Sequence, residues 1–255
     1  MAVCPTRFER MHPYTGQVHE VHLCPTETDL HRAVVEDFRA AVEATLKVYE
    51  DFHAVLAGGR TPRGAYALLA QEGRDLPWER IHLYWSDERA VPPDHPLSNY
   101  RMVRETLLDG VPIPPENVHR IPGEQPPEQA AAHYEAVLAR LTRPFDWVLL
   151  GLGPDGHTAS LFPGTEAIHE TRRRAMAVYA PSQKQWRITL TPPVLNTAAR
   201  VRFLVAGEAK AAAVQAVITG PYQPDRWPAQ ILHPPQPIRW FLDASAAALL
   251  LAPSP

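Results

Sequence analysis

The sequence predicts an α/β fold: a mainly parallel, Rossmann-like sheet with helices on both faces. Two observations carry this. Short apolar runs alternate with segments of helical spacing along nearly the whole chain. Four polar or glycine-rich segments, 58–61, 86–89, 151–160 and 207–210, fall just after such runs. In a parallel sheet those positions share the carboxyl edge, where ligands bind. With 255 residues the chain can bury one large core. It reads as a single domain over 17–255 preceded by an N-terminal extension, 1–16.

Each element has its own signal. Gln17–Leu23 alternates and reads as a strand. Thr26 with Asp29 resembles a capping box, and Leu30, Val34, Phe38, Ala41, Val42 and Thr45 continue with helical spacing to about Tyr49. The apolar run 52–57 runs into Gly58-Gly59-Arg60-Thr61-Pro62, where Thr61 suits an N-cap and Pro62 a first helical position. Ile81–Trp85 is a strand ending in Ser86-Asp87-Glu88-Arg89, and Ser98 caps a helix through Leu108. A helix spans about 128–141, and the run 145–150 is a buried strand. Beyond it come strands at 175–179, 187–191, 201–206 and 238–242. Helices are expected at 192–197, from Gly207-Glu-Ala-Lys210 to about Ile218, and over 243–251.

Composition narrows the function classes. A net charge of -3 gives no general attraction to nucleic acid or anionic membrane. Apolar runs fall well short of the ~20 residues of a membrane span. The first ten residues lack the apolar core of a secretion signal. Cys4 and Cys24 sit in no metal or redox spacing, which points to a reducing cytoplasm.

The chemistry concentrates in Gly151-Leu-Gly-Pro-Asp-Gly-His157. An imidazole serves as general base near neutral pH, and Asp155, two residues away, can orient it. Gly58, Gly59, Arg60 and Thr61 ahead of a helix offer backbone N–H groups and a positive dipole end to a phosphate. Lys210, one of three lysines with Lys47 and Lys184, opens a helix where a cation is unfavourable without an anion nearby. Arg187 begins a strand. Arg89 suits a carboxylate or a developing oxyanion, with Asp87 to lock it; alternatively 87–89 is an exposed charge run. No His/Cys/Asp cluster has metal-ligand spacing, and no serine sits in a Gly-x-Ser-x-Gly elbow.

Taken together, Leu56-Ala-Gly-Gly-Arg-Thr-Pro62, Trp85-Ser-Asp-Glu-Arg-Ala-Val91 with Ser98-Asn99-Tyr100, and Leu150-Gly-Leu-Gly-Pro-Asp-Gly-His-Thr-Ala-Ser-Leu-Phe-Pro-Gly164 resemble the 6-phosphogluconolactonases. So do Arg187-Ile-Thr-Leu-Thr191, Gly207-Glu-Ala-Lys210 and Trp240-Phe-Leu-Asp243. The resemblance runs in order from about residue 17 to the C-terminal strand. It implies a fold shared with glucosamine-6-phosphate deaminase and ribose-5-phosphate isomerase. It also implies hydrolysis of 6-phospho-D-glucono-1,5-lactone to 6-phosphogluconate, the second step of the oxidative pentose phosphate pathway, without cofactor or metal, in a cytoplasmic monomer or homodimer. By match, His157 is the base that activates water, with Asp155 in its shell. Arg89 places the lactone or polarises its carbonyl. Gly58 to Thr61, Arg187 and Lys210 hold the phosphate. One departure is Arg60, where the family usually has serine; backbone donors at this turn need no particular side chain.

The nearest alternative is a sugar-phosphate deaminase or isomerase on the same fold. Deaminases carry Asp-Glu followed by an aromatic where this chain has Arg89. A sugar-phosphate sensor needs a DNA-binding module, for which residues before 17 are too few.

Overall fold

The computed structural model describes residues 3–251. In chain order, β1 (Thr6–Met11) and β2 (Val18–Cys24) form a hairpin and are followed by α1 (Glu27–Leu46), β3 (Phe52–Leu56) and α2 (Arg60–Glu72). Next come β4 (Ile81–Trp85), β5 (Asp87–Arg89), α3 (Asn99–Thr106), β6 (Val118–His119) and α4 (Pro127–Leu138). β7 (Trp147–Leu150), β8 (Ala175–Ala180), β9 (Gln185–Leu190) and α5 (Pro192–Leu195) follow. The last elements are β10 (Val201–Val205), α6 (Ala211–Thr219), β11 (Ile238–Asp243) and α7 (Ala248–Leu251).

Among the described residues the main sheet has eight strands in the order β1-β2-β11-β10-β7-β3-β4-β6. Every pairing is parallel except β1 with β2. The chain moves from β2 past the middle to β3 and outward to β4, then from β7 back through β10 to β11. Crossovers are right-handed, so a reversal of direction puts α1 and α2 on one face and α6 on the other. The reversal lies between the paired strands β3 and β7, the switch point at which such sheets open a crevice.

Local chemistry explains the main helix. Asp29 N donates to Thr26 Oγ1 at 3.1 Å, and that hydroxyl donates to Asp29 Oδ2 at 2.6 Å, which closes the first turn. The apolar stripe of α1 then buries Leu30, Val34, Phe38 and Val42 on the sheet. Phe38 meets Phe52 and Trp147 edge-on at 5.5 and 5.1 Å. Each such aromatic contributes about 2–3 kcal/mol by leaving water. Asp37, one residue away, is buried and accepts from Trp147 Nε1 at 2.7 Å and Arg202 Nε at 2.8 Å; Arg239 is its third partner.

Four features depart from the sequence reading. First, residues set apart as an extension supply β1, the antiparallel edge of the main sheet. Thr-Arg-Phe-Glu-Arg-Met on a mostly exposed strand carries no apolar period, so nothing marked it. Second, β8 and β9 do not join the parallel sheet. With β5, which was not expected as a strand, they form an antiparallel three-stranded sheet in the order β5-β9-β8. Third, α2 begins at Arg60 rather than Pro62, and the closing helix is only Ala248–Leu251. Fourth, Cys4 and Cys24, which match no metal or redox spacing, are joined in a disulfide. Antiparallel pairing of β1 with β2 brings the two together across a loop that spacing alone could not close.

Two stability predictions follow from these packings. The disulfide ties the outermost strand to its neighbour across a separation of 20 residues. A loop of that size is worth about 3 kcal/mol, so Cys4→Ser/Cys24→Ser is expected to lower Tm by several degrees in calorimetry; an unchanged Tm would refute the contribution.

The second concerns acid. His53, His82 and His119 stack across β3, β4 and β6, with ring centroids 5.0 and 5.3 Å apart. His82 Nδ1 and His119 Nε2 lie 3.0 Å apart, so one proton serves both nitrogens. Burial, and then the neighbouring imidazoles, push His53 and His119 down to about 4. The unfolded chain therefore takes up protons first, and the stabilisation is complete above pH ~6.5 and is lost as pH falls toward about 4. Thermal melts across this window should show Tm falling steadily, and His119→Gln should flatten the slope.

Candidate active site

At the switch point lies a cavity of about 250 Å³. Its lining includes Gly58, Gly59, Arg60, Thr61, Asp87, Arg89, His157, Arg187 and Lys210. Nine of the ten residues singled out in the sequence thus share one chamber. Asp155, the tenth, stands behind His157.

The first wall is the β3–α2 turn. Gly59 has φ +100°, a backbone conformation L side chains rarely adopt, and this swings the chain so that α2 starts at Arg60. No side chain caps α2. Its first N–H groups and the positive dipole end therefore face the cavity without an internal acceptor, which is the arrangement that takes an anion.

The second wall is the loop after β7. His157 Nδ1 lies 2.5 Å from Asp155 Oδ1. An ionised carboxylate only accepts, so Nδ1 carries the proton and Nε2, on the far side of the ring, keeps its lone pair. Burial works against the Asp155 charge, but the side-chain hydrogen bond to His157, the charge of that ring and the backbone N–H groups of the turn together outweigh it and hold the carboxyl below its ordinary pKa. The loop is folded tightly around this pair: Gly153 N donates to His157 O at 2.8 Å. A Cβ on Gly153 would stand 2.0 Å from His157 Nδ1, so no other residue fits there. Phe162 packs on the imidazole at 4.5 Å.

The third wall comes from the small sheet, where Arg89 on β5 pairs in register with Arg187 on β9. Asp87 is no part of an exposed run: it is 6% exposed and Glu88 2%. Asp87 accepts from Ser160 Oγ at 2.6 Å, from Arg187 Nη1 at 3.3 Å and from Asn99 Nδ2 at 3.1 Å. Glu88 points the other way and accepts from the N–H groups of Asn99 and Tyr100 at 2.7 and 2.8 Å, fixing the start of α3. Arg89 donates to Leu97 O at 2.6 Å. Burial lowers the Arg187 pKa, Asp87 opposes this, and Arg89 adds to it. Two half-satisfied guanidinium groups side by side make a strong anion contact.

Lys210 closes the chamber. It stands at the head of α6, after Gly207, whose N–H is held by both Asp243 oxygens at 3.1 and 3.0 Å. Burial lowers its pKa, with Asp155 opposing and Arg60 assisting. The cationic end of the cavity thus senses the carboxylate behind the imidazole.

Sequence reasoning passed over three contributors. Asn99 appeared only as part of a motif, although a polar residue right after an N-cap serine is a visible signal. Ser160 lay in the central loop without a role. Gln183, which pairs with Arg187, belongs to a β8–β9 turn that could not be placed beside the cavity before the small sheet was known.

Comparison with known proteins bears on the family and the fold. Residues 25–240 match the family model described as glucosamine-6-phosphate isomerases/6-phosphogluconolactonase. The chain is 43% identical over 199 residues to a 6-phosphogluconolactonase of Synechocystis, covering 75% of this chain and 81% of that one. It is 38% identical over 238 residues to one of Nostoc, covering 90% and 98%. A solved 6-phosphogluconolactonase from Thermotoga maritima superposes with a TM-score of 0.77 at 34% identity, over 88% of this chain and 98% of that one. The chain belongs to the glucosamine-6-phosphate isomerase/6-phosphogluconolactonase family.

Proposed function

We propose that the protein hydrolyses 6-phospho-D-glucono-1,5-lactone to 6-phosphogluconate, in the oxidative pentose phosphate pathway. The observation that carries this is a carboxylate-oriented imidazole, His157 with Asp155, opening into the same small cavity as an uncapped helix start and Lys210. The phosphate sits on the N–H groups of Gly58 to Thr61, with Arg60, Arg187 and Lys210 supplying positive charge. The lactone ring then lies along the arginine wall with C1 facing the imidazole.

His157 Nε2 takes a proton from water as the water oxygen bonds to C1. The carbonyl electron pair moves onto its oxygen, where Arg89 stabilises the charge. Collapse re-forms the carbonyl and breaks the bond from C1 to the ring oxygen, which takes the proton from His157. Gripping the phosphate turns remote binding energy into alignment at C1. The reaction consumes only water. Its residues all come from one chain, so a monomer or a homodimer suffices, and we place the reaction in the cytoplasm.

The test is a coupled assay in which glucose-6-phosphate dehydrogenase generates the lactone and its loss is followed with and without the protein. Loss no faster than spontaneous hydrolysis would reject the reading. Ammonia released from glucosamine 6-phosphate would instead favour a deaminase. Lys210→Ala is expected to raise KM about 10-fold or more with little change in kcat, the loss of one charge-assisted contact. Arg187→Ala is expected to cost stability as well, because it strips Asp87 of its cation.

A further inference from the structure

Among the described residues, five buried side-chain polar atoms lack a hydrogen-bond partner: His12 Nε2, Trp85 Nε1, Arg89 Nε, Asn99 Oδ1 and Arg187 Nε. Three of them belong to residues that line one wall of the cavity. Two are donors. The third, Asn99 Oδ1, is an acceptor on a residue only 1% exposed.

The orientation of this amide is settled by its neighbours. Asn99 Nδ2 donates to Asp87 O at 2.9 Å and to Asp87 Oδ1 at 3.1 Å. Turning the amide over would set its oxygen against two acceptors, so the oxygen must stay on the side away from Asp87. There it lies against Gly58: a Cβ at that position would come within 2.1 Å of Asn99 Oδ1. The phosphate turn and this acceptor therefore form one continuous surface.

An orphan acceptor selects its ligand more narrowly than an orphan donor. Phosphate oxygens and a lactone carbonyl only accept, so they suit the two arginine Nε atoms and repel Asn99 Oδ1. A sugar hydroxyl donates as well. We infer that Asn99 Oδ1 accepts a hydrogen bond from a ring hydroxyl of the substrate, making Asn99 a specificity residue that checks for a polyhydroxylated ring beside the phosphate. This rests on the lactonase reading and extends it: Arg89, Arg187 and Asn99 form a donor, donor, acceptor pattern that a phosphorylated polyol lactone fills and an unhydroxylated phosphate ester does not.

The test is a cycle that crosses the enzyme with its substrate. The unchanged protein and Asn99→Ala are assayed on the parent lactone and on three 6-phospholactones, each lacking the hydroxyl at C2, C3 or C4. Asn99→Ala also loosens Asp87, but that damage slows all four substrates alike. A hydroxyl that touches Asn99 shows itself as coupling. For one deoxy lactone the unchanged protein should lose about tenfold or more in kcat/KM. The Asn99→Ala penalty on that same lactone should then be smaller than on the parent by about fivefold or more. Penalties equal within about twofold on all four lactones would overturn the inference. If Asn99→Ala does not fold, Asn99→Ser, which adds no charge beside Asp87, takes its place in the same cycle with the same outcomes: coupling on one deoxy lactone supports the inference, and equal penalties on all four overturn it. Failure of the unchanged protein on the parent lactone overturns the lactonase reading too, whereas activity without coupling overturns this inference alone.

Discussion

Replacing His157 by alanine is expected to lower kcat by about 10²–10⁴-fold, the usual range for a lost general base. KM should stay within about threefold, because the groups proposed to grip the phosphate lie on other elements. The imidazole is only partly buried and its loss leaves no charge stranded in the interior, so thermal stability should barely move. Asp155→Asn separates orientation from charge. Its amide can still bond Nδ1, but if it donates there, the imidazole is forced into the tautomer that presents Nε2–H to the water. Most of the rate should vanish with the cavity intact, as in other systems where the third group sets the tautomer. A His157→Ala variant with near wild-type kcat would end the base assignment.

The second large effect concerns stability. Asp37→Ala is expected to cost about 3–5 kcal/mol, the range for removing one partner of a buried ion pair. Burial opposes the Asp37 charge, yet Arg202, Arg239 and the Trp147 N–H outweigh it and hold its pKa below the ordinary value. Without it, the Arg202 guanidinium is left inside the protein with no carboxylate in contact, while Arg239 keeps Glu20 at 2.9 Å. Such a loss is a large share of the 5–15 kcal/mol typical of a folded domain. Chemical denaturation would measure it, and a cost under about 1 kcal/mol would show that the network is dispensable. Replacing Asp37 and Arg202 together by apolar residues should recover much of the loss.

The two arginine pairs show what a sequence can and cannot say. Arg202 and Arg239 are neighbours on β10 and β11, as Arg89 and Arg187 are on β5 and β9. By residue type nothing distinguishes them; only the motifs around Arg89 and Arg187 set those two apart in the sequence. In space, the first pair is bound to a carboxylate that serves nothing else but an indole, and the second pair is left with both Nε atoms unmatched beside a cavity. The parallel strands, by contrast, were legible, all but the two-residue β6, because most are short apolar runs closed by glycine or polar residues and β2 alternates. The cavity was legible because Gly58, Asp87, His157 and Lys210 all follow such runs. β1 escaped because a mostly exposed edge strand, Thr-Arg-Phe-Glu-Arg-Met, carries no burial signal. The disulfide escaped with it. The small antiparallel sheet escaped because β8 and β9, buried on both sides, read the same as strands of a parallel sheet. Asn99 escaped for another reason: its role depends on which side of one amide faces Asp87.

The reversal of chain direction between β3 and β7 has a practical meaning for redesign. The turn proposed to grip the phosphate belongs to the half of the sheet that grows outward from β3, and the proposed base belongs to the half that grows the opposite way from β7. Their strands meet along a short ladder, Ala54 with Trp147 and Val55 with Val148, extended by the Asp146 N–H donating to His53 O. Residues 58–62 can therefore be rebuilt to accept a different charged handle while the geometry around His157 is left as it stands, so that substrate range and reaction type are separately adjustable parts of one chain.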